Sequence, residues 1–332
     1  MRISRVMAMT GIVALGFYIL AERETVRPVA EAPQEIPVME EQVTDVVEGV
    51  ETVPEREIAP ASEKEPEIRT TALPMLAEEI RETTIQGGLS IKNNTQYQID
   101  TEQLLKNGPQ LSLPAEGPQI LIMHTHGSEA YTPAGLDYYE SSDSCRTEDR
   151  QFNVIRVGDE LESLLTQAGL NVLHDREIYD YPSYTGSYTR SGAAVEEYLE
   201  QYPSIAMVID LHRDALGANG IVYKTMAEEE GVCASQIMLL AGSDASGLEH
   251  PGWQHNLSVA LYLQNQVTMR HPTLMRPVSL VQERYNQHLT AGSIIIEVGS
   301  NGNTLQEALA AIRLFADAAA PALLALVDSA AD

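Results

Sequence analysis

Short apolar runs alternate with segments of helical periodicity from residue 119 to the C-terminus, and this alternation constrains the fold of the 332-residue chain most strongly. The apolar runs predict buried strands at 119–123, 170–173, 205–211, 236–241 and 293–296. Apolar spacing near 3.6 predicts helices at 153–165, 192–201 and 255–270, with one or two closing helices over 304–327. Strands that alternate with helices predict an α/β fold, in which helices flank a mostly parallel or mixed central sheet.

The N-terminus predicts a membrane anchor over residues 1–24. An apolar run at 6–20 follows Arg2 and Arg5 and ends at charged residues 22–24. The run is short for a spanning helix, which needs about 20 residues, but its charged flanks and the lack of a small neutral cleavage site favour an uncleaved single-pass helix. A cleaved signal peptide and a buried core helix are the alternatives. Arg2 and Arg5 should stay in the cytoplasm, so the remaining chain is expected outside the cytoplasmic membrane.

Residues 25–85 are predicted to form a disordered acidic stalk and linker. No aromatic residue occurs between Tyr18 and Tyr97, and residues 21–70 contain 14 acidic and 5 basic side chains. Such a segment cannot bury enough apolar surface to offset the entropy lost on ordering. The globular domain is therefore predicted over residues 86–332.

The charge and cysteine content limit the partners and the covalent chemistry. A formal net charge of −27 argues against a nucleic-acid partner, because phosphate binding needs clustered Lys and Arg. The two cysteines, Cys145 and Cys233, could form one disulfide in an exported domain or stay free.

Histidines and a glutamate occur where three of the apolar runs end. His124 and His126 follow the first run, His212 follows the third, and Glu297 follows the last. Ligands bind beyond the carboxyl ends of strands in open α/β sheets, so these side chains are expected to converge. Imidazoles and a carboxylate that leave one position open to water form hydrolytic zinc sites, so the pattern predicts an exported metallohydrolase.

Three segments around these residues resemble the signature of the stage II sporulation protein P family, peptidoglycan hydrolases of spore-forming bacteria. The segments are 122–131 (IMHTHGSEAY), 209–215 (IDLHRDA) and 296–299 (IEVG). Segments 181–188, 252–257 and 284–287 support the resemblance, which runs from about residue 119 to residue 315. The anchor and the stalk match the family in layout only.

The resemblance implies a membrane-anchored enzyme of the cell wall that acts in sporulation. The family is similar to zinc N-acetylmuramoyl-L-alanine amidases, which implies a zinc amidase-like fold. It also implies zinc-dependent cleavage between the lactyl group of muramic acid and L-alanine. Cleavage of peptide cross-links is a possible second activity. The resemblance further implies action beside stage II sporulation proteins D and M during engulfment of the forespore.

The amidase pattern can be transferred to this chain residue by residue. It implies that His126 and His212 are metal ligands and that Glu297 is the catalytic glutamate. The remaining carboxylate ligand is expected to be Glu129, in the same turn as His126; the alternatives are Glu148 and Asp149, ahead of the predicted helix.

Five further side chains are candidates for supporting roles. His124 shares a strand face with His126 by the two-residue period, so it is expected to be a ligand or to contact one. Arg213 and Asp214 could orient His212, bind an anionic stem peptide or form a local salt bridge. Arg284 and Asn286 could bind substrate or hold a loop by hydrogen bonds.

Two other functions are compatible with parts of the pattern. A metal amidohydrolase barrel would use the pair His124 and His126, but it needs about 250 residues and more strands than this chain offers. A non-catalytic amidase-like module would bind peptidoglycan or a partner protein. The presence of Glu297 argues against the second reading, because loss of the proton-transferring residue is the simplest route to an inactive hydrolase.

Overall fold

A seven-stranded mixed sheet lies at the centre of the fold in the computed structural model, which describes residues 79–85, 89–135, 137–229 and 231–329. The strands are β1 Glu79–Thr83, β2 Ile91–Asn93, β3 Ile120–Met123, β4 Val172–His174, β5 Met207–Asp214, β6 Gly217–Ala218, β7 Ile221–Thr225, β8 Ala227–Glu229, β9 Val232–Ala234, β10 Ile237–Ala241, β11 Val278–Leu280 and β12 Ile294–Ser300. The helices are α1 Thr101–Asn107, α2 Val154–Ala168, α3 Ser187–Gln201, α4 Trp253–Arg270 and α5 Leu305–Leu324, with a 3-10 helix at Gln287–Leu289.

The strand order of the central sheet is β2, β11, β10, β12, β5, β3, β4. Neighbours run parallel except β10 and β12, which are antiparallel. The prediction of an α/β fold with a mostly parallel or mixed sheet is therefore confirmed. β5 lies between β3 and β12, so the segments that carry His126, His212 and Glu297 are adjacent.

Alternate residues of β3 pack against different helices, as the pleat requires. Ile120 and Ile122 join the core formed with α2, α4 and α5, whereas Leu121 and Met123 pack with Val195 of α3. β5 alternates in the same way, since Met207, Ile209 and Leu211 join the first core and Val208 joins the second. Asp210 and His212 therefore face the α3 side of the sheet.

The helix α2 agrees closely with the sequence pattern. The side chain of Asn153 caps its first turn by accepting a hydrogen bond from the Ile155 N–H at 3.0 Å. Gly169 ends the helix at φ 106°, a left-handed conformation that favours glycine. The closing segment is a single helix, α5, which begins with a capping box between Thr304 and Glu307.

Several elements differ from their predicted bounds. β5 continues to Asp214 and β12 to Ser300, because the two strands keep pairing beyond their apolar runs. His212 and Glu297 thus lie inside strands rather than at their ends. α3 begins at Ser187, five residues before its predicted start. The short pairs β6–β7 and β8–β9 had no clear periodic signal and were not predicted.

The folded part also begins earlier than the predicted boundary at residue 86. Glu79–Thr83 forms β1 and pairs in parallel with β7, so the last part of the predicted linker is a strand. The predicted anchor at 1–24 and the stalk up to residue 78 lie outside the described residues. Within the described ranges, no helix combines the length and apolarity needed to cross a bilayer. Cys145 and Cys233 are both free thiols.

Candidate metal and catalytic site

Three buried side chains come together at the end of β3 and on β5. His126 and Glu129 share one turn after β3, where the Glu129 N–H donates to the His126 carbonyl at 3.1 Å. His212 reaches the same point from β5. One potential ligand atom from each of the three side chains lies within 4.8 Å of the others.

The carboxylate of Glu129 lies between the two imidazoles. His126 Nδ1 is 3.6 Å from Glu129 Oε1, and His212 Nδ1 is 3.4 Å from Glu129 Oε2. The two rings are 5.1 Å apart and nearly perpendicular. This arrangement lets one ion contact all three side chains.

Asp210 contacts His212 on the side away from Glu129. Asp210 Oδ1 lies 2.8 Å from His212 Nε2, and the Thr125 N–H and hydroxyl each donate to Asp210 at 2.7 Å. A carboxylate in this position favours a proton on Nε2, so Nδ1, which faces Glu129, is the nitrogen that a metal ion could occupy. Metal binding through Nδ1 would leave the contact between Nε2 and Asp210 in place.

Cationic groups keep Glu129 ionised. Arg146 Nη2 lies 3.3 Å from Oε1, and the backbone N–H of Arg213 donates to Oε2 at 3.2 Å. Burial by itself would raise the pKa of Glu129, but the charge of Arg213 and contacts with the two histidines hold it well below its usual value. Burial likewise opposes the charge on His212, yet Asp210 and Glu129 raise the pKa of His212 well above its usual value. The surroundings of the His212 imidazole therefore favour a positive charge, which a metal ion on Nδ1 would supply in place of a proton.

Glu297 lies opposite His212 in the parallel pairing of β12 with β5. Paired residues of parallel neighbours point to the same face, so both side chains project to the α3 side. Burial, followed by the charge of Asp214, raises the pKa of Glu297 to about 8. A carboxyl group whose pKa lies near neutrality can both accept and release a proton, as general acid–base chemistry requires.

The donor set fits a zinc ion. Zinc prefers imidazole nitrogen, thiolate and carboxylate oxygen, and catalytic zinc sites use three protein ligands. His212 directs Nδ1 at Glu129, Glu129 is ionised, and Nε2 of His126 is buried with no hydrogen-bond partner within the described residues. His126 is thus free to bind an ion through one of its nitrogens.

The alternative carboxylates lie elsewhere. Glu148 and Asp149 are exposed, and Asp149 Oδ1 accepts a hydrogen bond from the Gln151 N–H at 3.0 Å. His124 also lies apart from the cluster, because β3 ends at Met123 and the chain then turns. Its Nδ1 contacts the Leu211 carbonyl at 2.8 Å on the α2 side, so His124 and His126 do not share a face as expected.

The proposed substrate-contacting side chains make internal contacts. Arg213 is buried and donates to the carbonyls of Ala130 and Cys145 at 2.9 Å each. Asp214 Oδ2 pairs with Arg276 Nη1 at 2.8 Å, and Arg284 Nη1 donates to the Glu249 carbonyl at 2.9 Å. Asn286 Nδ2 donates to the Tyr188 carbonyl at 2.9 Å and to the Ser191 hydroxyl at 3.0 Å.

Three residues important to this site were not singled out from the sequence. Asp210 orients His212, Thr125 holds Asp210, and Arg146 pairs with Glu129. Asp210 could have been found, since it precedes His212 by two residues and so shares its strand face.

Tyr184 stacks on His126 at 4.6 Å while 57% of the tyrosine stays exposed, so its ring forms part of the entrance to the site.

Sequence comparison relates this chain to one described family. The family model for stage II sporulation protein P matches residues 16–320. Stage II sporulation protein P of Bacillus subtilis (strain 168) is 25% identical over 209 residues, which are 60% of this chain and 49% of that protein. The match thus spans about half the length of this curated relative.

Solved structures of amidases share a loose backbone likeness. N-acetylmuramoyl-L-alanine amidase AmiC2 of Nostoc punctiforme is 12% identical, with a TM-score of 0.37 over 64% of this chain and 98% of that chain. The CwlD amidase of Clostridioides difficile, in complex with the GerS lipoprotein, is 12% identical, with a TM-score of 0.36 over 63% of this chain and 98% of that chain.

Proposed function

Because this chain belongs to the stage II sporulation protein P family, we propose that it is a zinc-dependent peptidoglycan hydrolase. The bond cut is the amide between the lactyl group of muramic acid and L-alanine, as in an N-acetylmuramoyl-L-alanine amidase. The observation that carries the proposal is the buried cluster of His126, Glu129 and His212, with Glu297 on the neighbouring strand.

In this proposal each side chain has one task. His126, Glu129 and His212 hold the zinc ion, and Asp210 keeps the lone pair of His212 Nδ1 directed at it. Zinc, when bound, lowers the pKa of water to about 7 and polarises a scissile carbonyl. Glu297 takes the proton from the attacking water and delivers it to the leaving amide nitrogen, which its raised pKa suits it to do.

The test compares His126→Ala, His212→Ala and Glu297→Gln in the purified full-length protein, after circular dichroism has shown that each is folded. Zinc content and mass analysis of digested peptidoglycan are measured for each. The histidine variants should lose zinc and activity together, because a three-ligand site has no spare contact. Glu297→Gln should keep zinc while turnover falls by a factor on the order of 10²–10⁴.

His255→Ala is the matched control, since His255 is exposed on α4 and outside the cluster. It should keep both zinc and activity. If Glu297→Gln loses zinc as His212→Ala does, Glu297 is a ligand and its assigned role is wrong. If all three variants digest peptidoglycan at the wild-type rate, the proposed hydrolase function is wrong.

Cleavage of peptide cross-links is a second activity that we propose for the same site. The mass analysis distinguishes the two activities, because an amidase releases whole stem peptides and an endopeptidase leaves shortened stems on the glycan. We also propose that the protein acts in forespore engulfment beside stage II sporulation proteins D and M. This part rests on the family alone, and copurification of the three proteins from sporulating cells tests it.

We propose that residues 1–24 anchor the protein in the cytoplasmic membrane, with the catalytic domain outside. The apolar run at 6–20 and its charged flanks support this placement. The full-length protein should sediment with membranes, and external protease should release the catalytic domain from protoplasts. A soluble form that starts near residue 22 would instead show a cleaved signal peptide.

A further inference from the structure

A second group of potential ligands lies on the α2 side of the sheet. Asp159 and Glu162 are three residues apart on α2, so their side chains are neighbours on the helix surface. His174, the last residue of β4, faces them, and one potential ligand atom from each of the three residues lies within 4.8 Å of the others. None of the three belongs to the site of His126.

The side chain of His174 is fully buried, and its contact with His124 determines where its lone pair points. His124 Nδ1 must donate to the Leu211 carbonyl, 2.8 Å away, because a carbonyl only accepts. His124 is buried, and in a neutral imidazole whose Nδ1 donates, Nε2 is an acceptor. His174 Nε2 lies 2.8 Å from that atom and therefore donates to it.

The remaining ring nitrogen of His174 is directed at the two carboxylates. His174 Nδ1 lies 3.3 Å from Asp159 Oδ1 and 3.4 Å from Glu162 Oε2, and it has no hydrogen-bond partner in the described part of the chain. An imidazole lone pair and two carboxylates repel one another unless a cation separates them. Ligands around a tetrahedral ion with bonds of about 2.1 Å lie about 3.4 Å apart, which is the spacing found here.

Gly158 keeps the two histidines in this arrangement. A Cβ atom at Gly158 would lie 2.6 Å from Nε2 of both His124 and His174, which is too close for any real contact. Glycine inside a helix costs about 1 kcal/mol relative to alanine. The chain therefore accepts a helix-weakening residue where the histidine pair needs the space.

Arg176 is the cation that now contacts both carboxylates. Its Nε lies 2.7 Å from Asp159 Oδ1, and its Nη2 contacts Glu162 Oε2. Arg176 Nη1 donates to the His174 carbonyl at 3.2 Å, and no hydrogen bond joins the guanidinium to His174 Nδ1. The side chain is 40% exposed, so it can turn into solvent when a metal ion takes its place.

We propose that Asp159, Glu162 and His174 bind a second divalent metal ion of the zinc class. One nitrogen and two carboxylate oxygens are ligands that zinc accepts. The ion would connect α2 to β4 and so stabilise the fold, independently of the site of His126. This site goes beyond the proposed hydrolase function and does not depend on it.

The test counts zinc ions per full-length chain by elemental analysis and by calorimetric titration with Zn²⁺. Wild type should bind two ions. The paired substitution Asp159→Asn and Glu162→Gln should remove one, and His212→Ala should remove the other. Zinc should also raise the melting temperature of His212→Ala, and this rise should vanish when the paired substitution is added.

A single substitution should increase the zinc affinity of the second site, which would not happen if the cluster had a purely structural role. Arg176→Gln should tighten the second binding event by about tenfold, because the guanidinium no longer competes for the same oxygens. Arg156→Gln is the matched control, since Arg156 lies on α2 and pairs with Glu160 outside the cluster. It should leave the affinity unchanged.

The number of ions that each protein binds shows which of the two proposed zinc sites is occupied. If wild type and the paired variant bind equal numbers of ions, Asp159, Glu162 and His174 do not hold a metal ion and the second site is wrong. If the paired substitution removes the only ion that wild type binds, the second site stands and the proposed zinc site of His126 fails.

Discussion

Asp210 Oδ1 lies 2.8 Å from Nε2 of His212, on the opposite side of the ring from Glu129. The contact favours a proton on Nε2, which leaves Nδ1 as the nitrogen that a metal ion could occupy. Thr125 donates two hydrogen bonds to Asp210, so the turn that carries His126 also positions the carboxylate that orients His212. The two histidines are thereby coupled through one carboxylate.

Asp210→Asn should weaken zinc binding without removing it. Asparagine keeps the shape but loses the charge that fixes the His212 tautomer, so the affinity should fall by about 10- to 100-fold. Competition with a chelator of known affinity measures the change. Asp143→Asn, on an exposed loop, is the control and should bind zinc as wild type does. An unchanged affinity in Asp210→Asn would mean that the Nε2 contact does not orient His212.

Gly158→Ala should destabilise the protein, although alanine is the better helix former. The added Cβ would lie 2.6 Å from the His124 and His174 rings, and overpacking of this kind costs about 1–3 kcal/mol. Denaturant unfolding gives the free energy of both proteins. Thr166→Ala, at an exposed position of α2, should instead be neutral or stabilising. A gain of stability in Gly158→Ala would contradict the close packing of the histidine pair.

The stability of the protein should fall between pH 6.5 and about 4 in part because of His250. Burial, followed by the charge of His288, lowers the pKa of His250 to about 4, and its Nε2 lies 3.2 Å from Asn256 Nδ2 as an acceptor. In this window the unfolded chain binds a proton at residue 250 and the folded chain does not. The stabilising contribution of neutral His250 to the free energy of unfolding is therefore fully present above pH 6.5 and is lost as the pH falls to about 4.

His250→Gln tests this contribution, since glutamine can accept a hydrogen bond but does not titrate. The free energy of unfolding of the variant should depend less steeply on pH across the window than that of wild type. His255→Gln replaces an exposed histidine and should keep the wild-type slope. Equal slopes in wild type and His250→Gln would show that this imidazole titrates normally in the folded protein.

Local patterns in the sequence were sufficient for the main elements of the fold. The helix α2 was predicted at 153–165 from apolar spacing, and the structure places it at Val154–Ala168, capped by Asn153 and Gly169. The strands β3, β5, β10 and β12 were predicted from their apolar runs. β6 to β9 are short and depend on pairing with distant segments, so local composition did not predict them.

The sequence by itself determined the family, the fold class and the residue types of the candidate site. Only the tertiary structure shows which candidate carboxylate lies beside the two histidines. Glu129 lies between them, whereas Glu148 and Asp149 are exposed, because the packing of distant segments determines these positions. The tertiary structure also separated His124 from His126. A two-residue period holds only while a strand lasts, and β3 ends at Met123, where turn geometry and contacts with distant β5 take over.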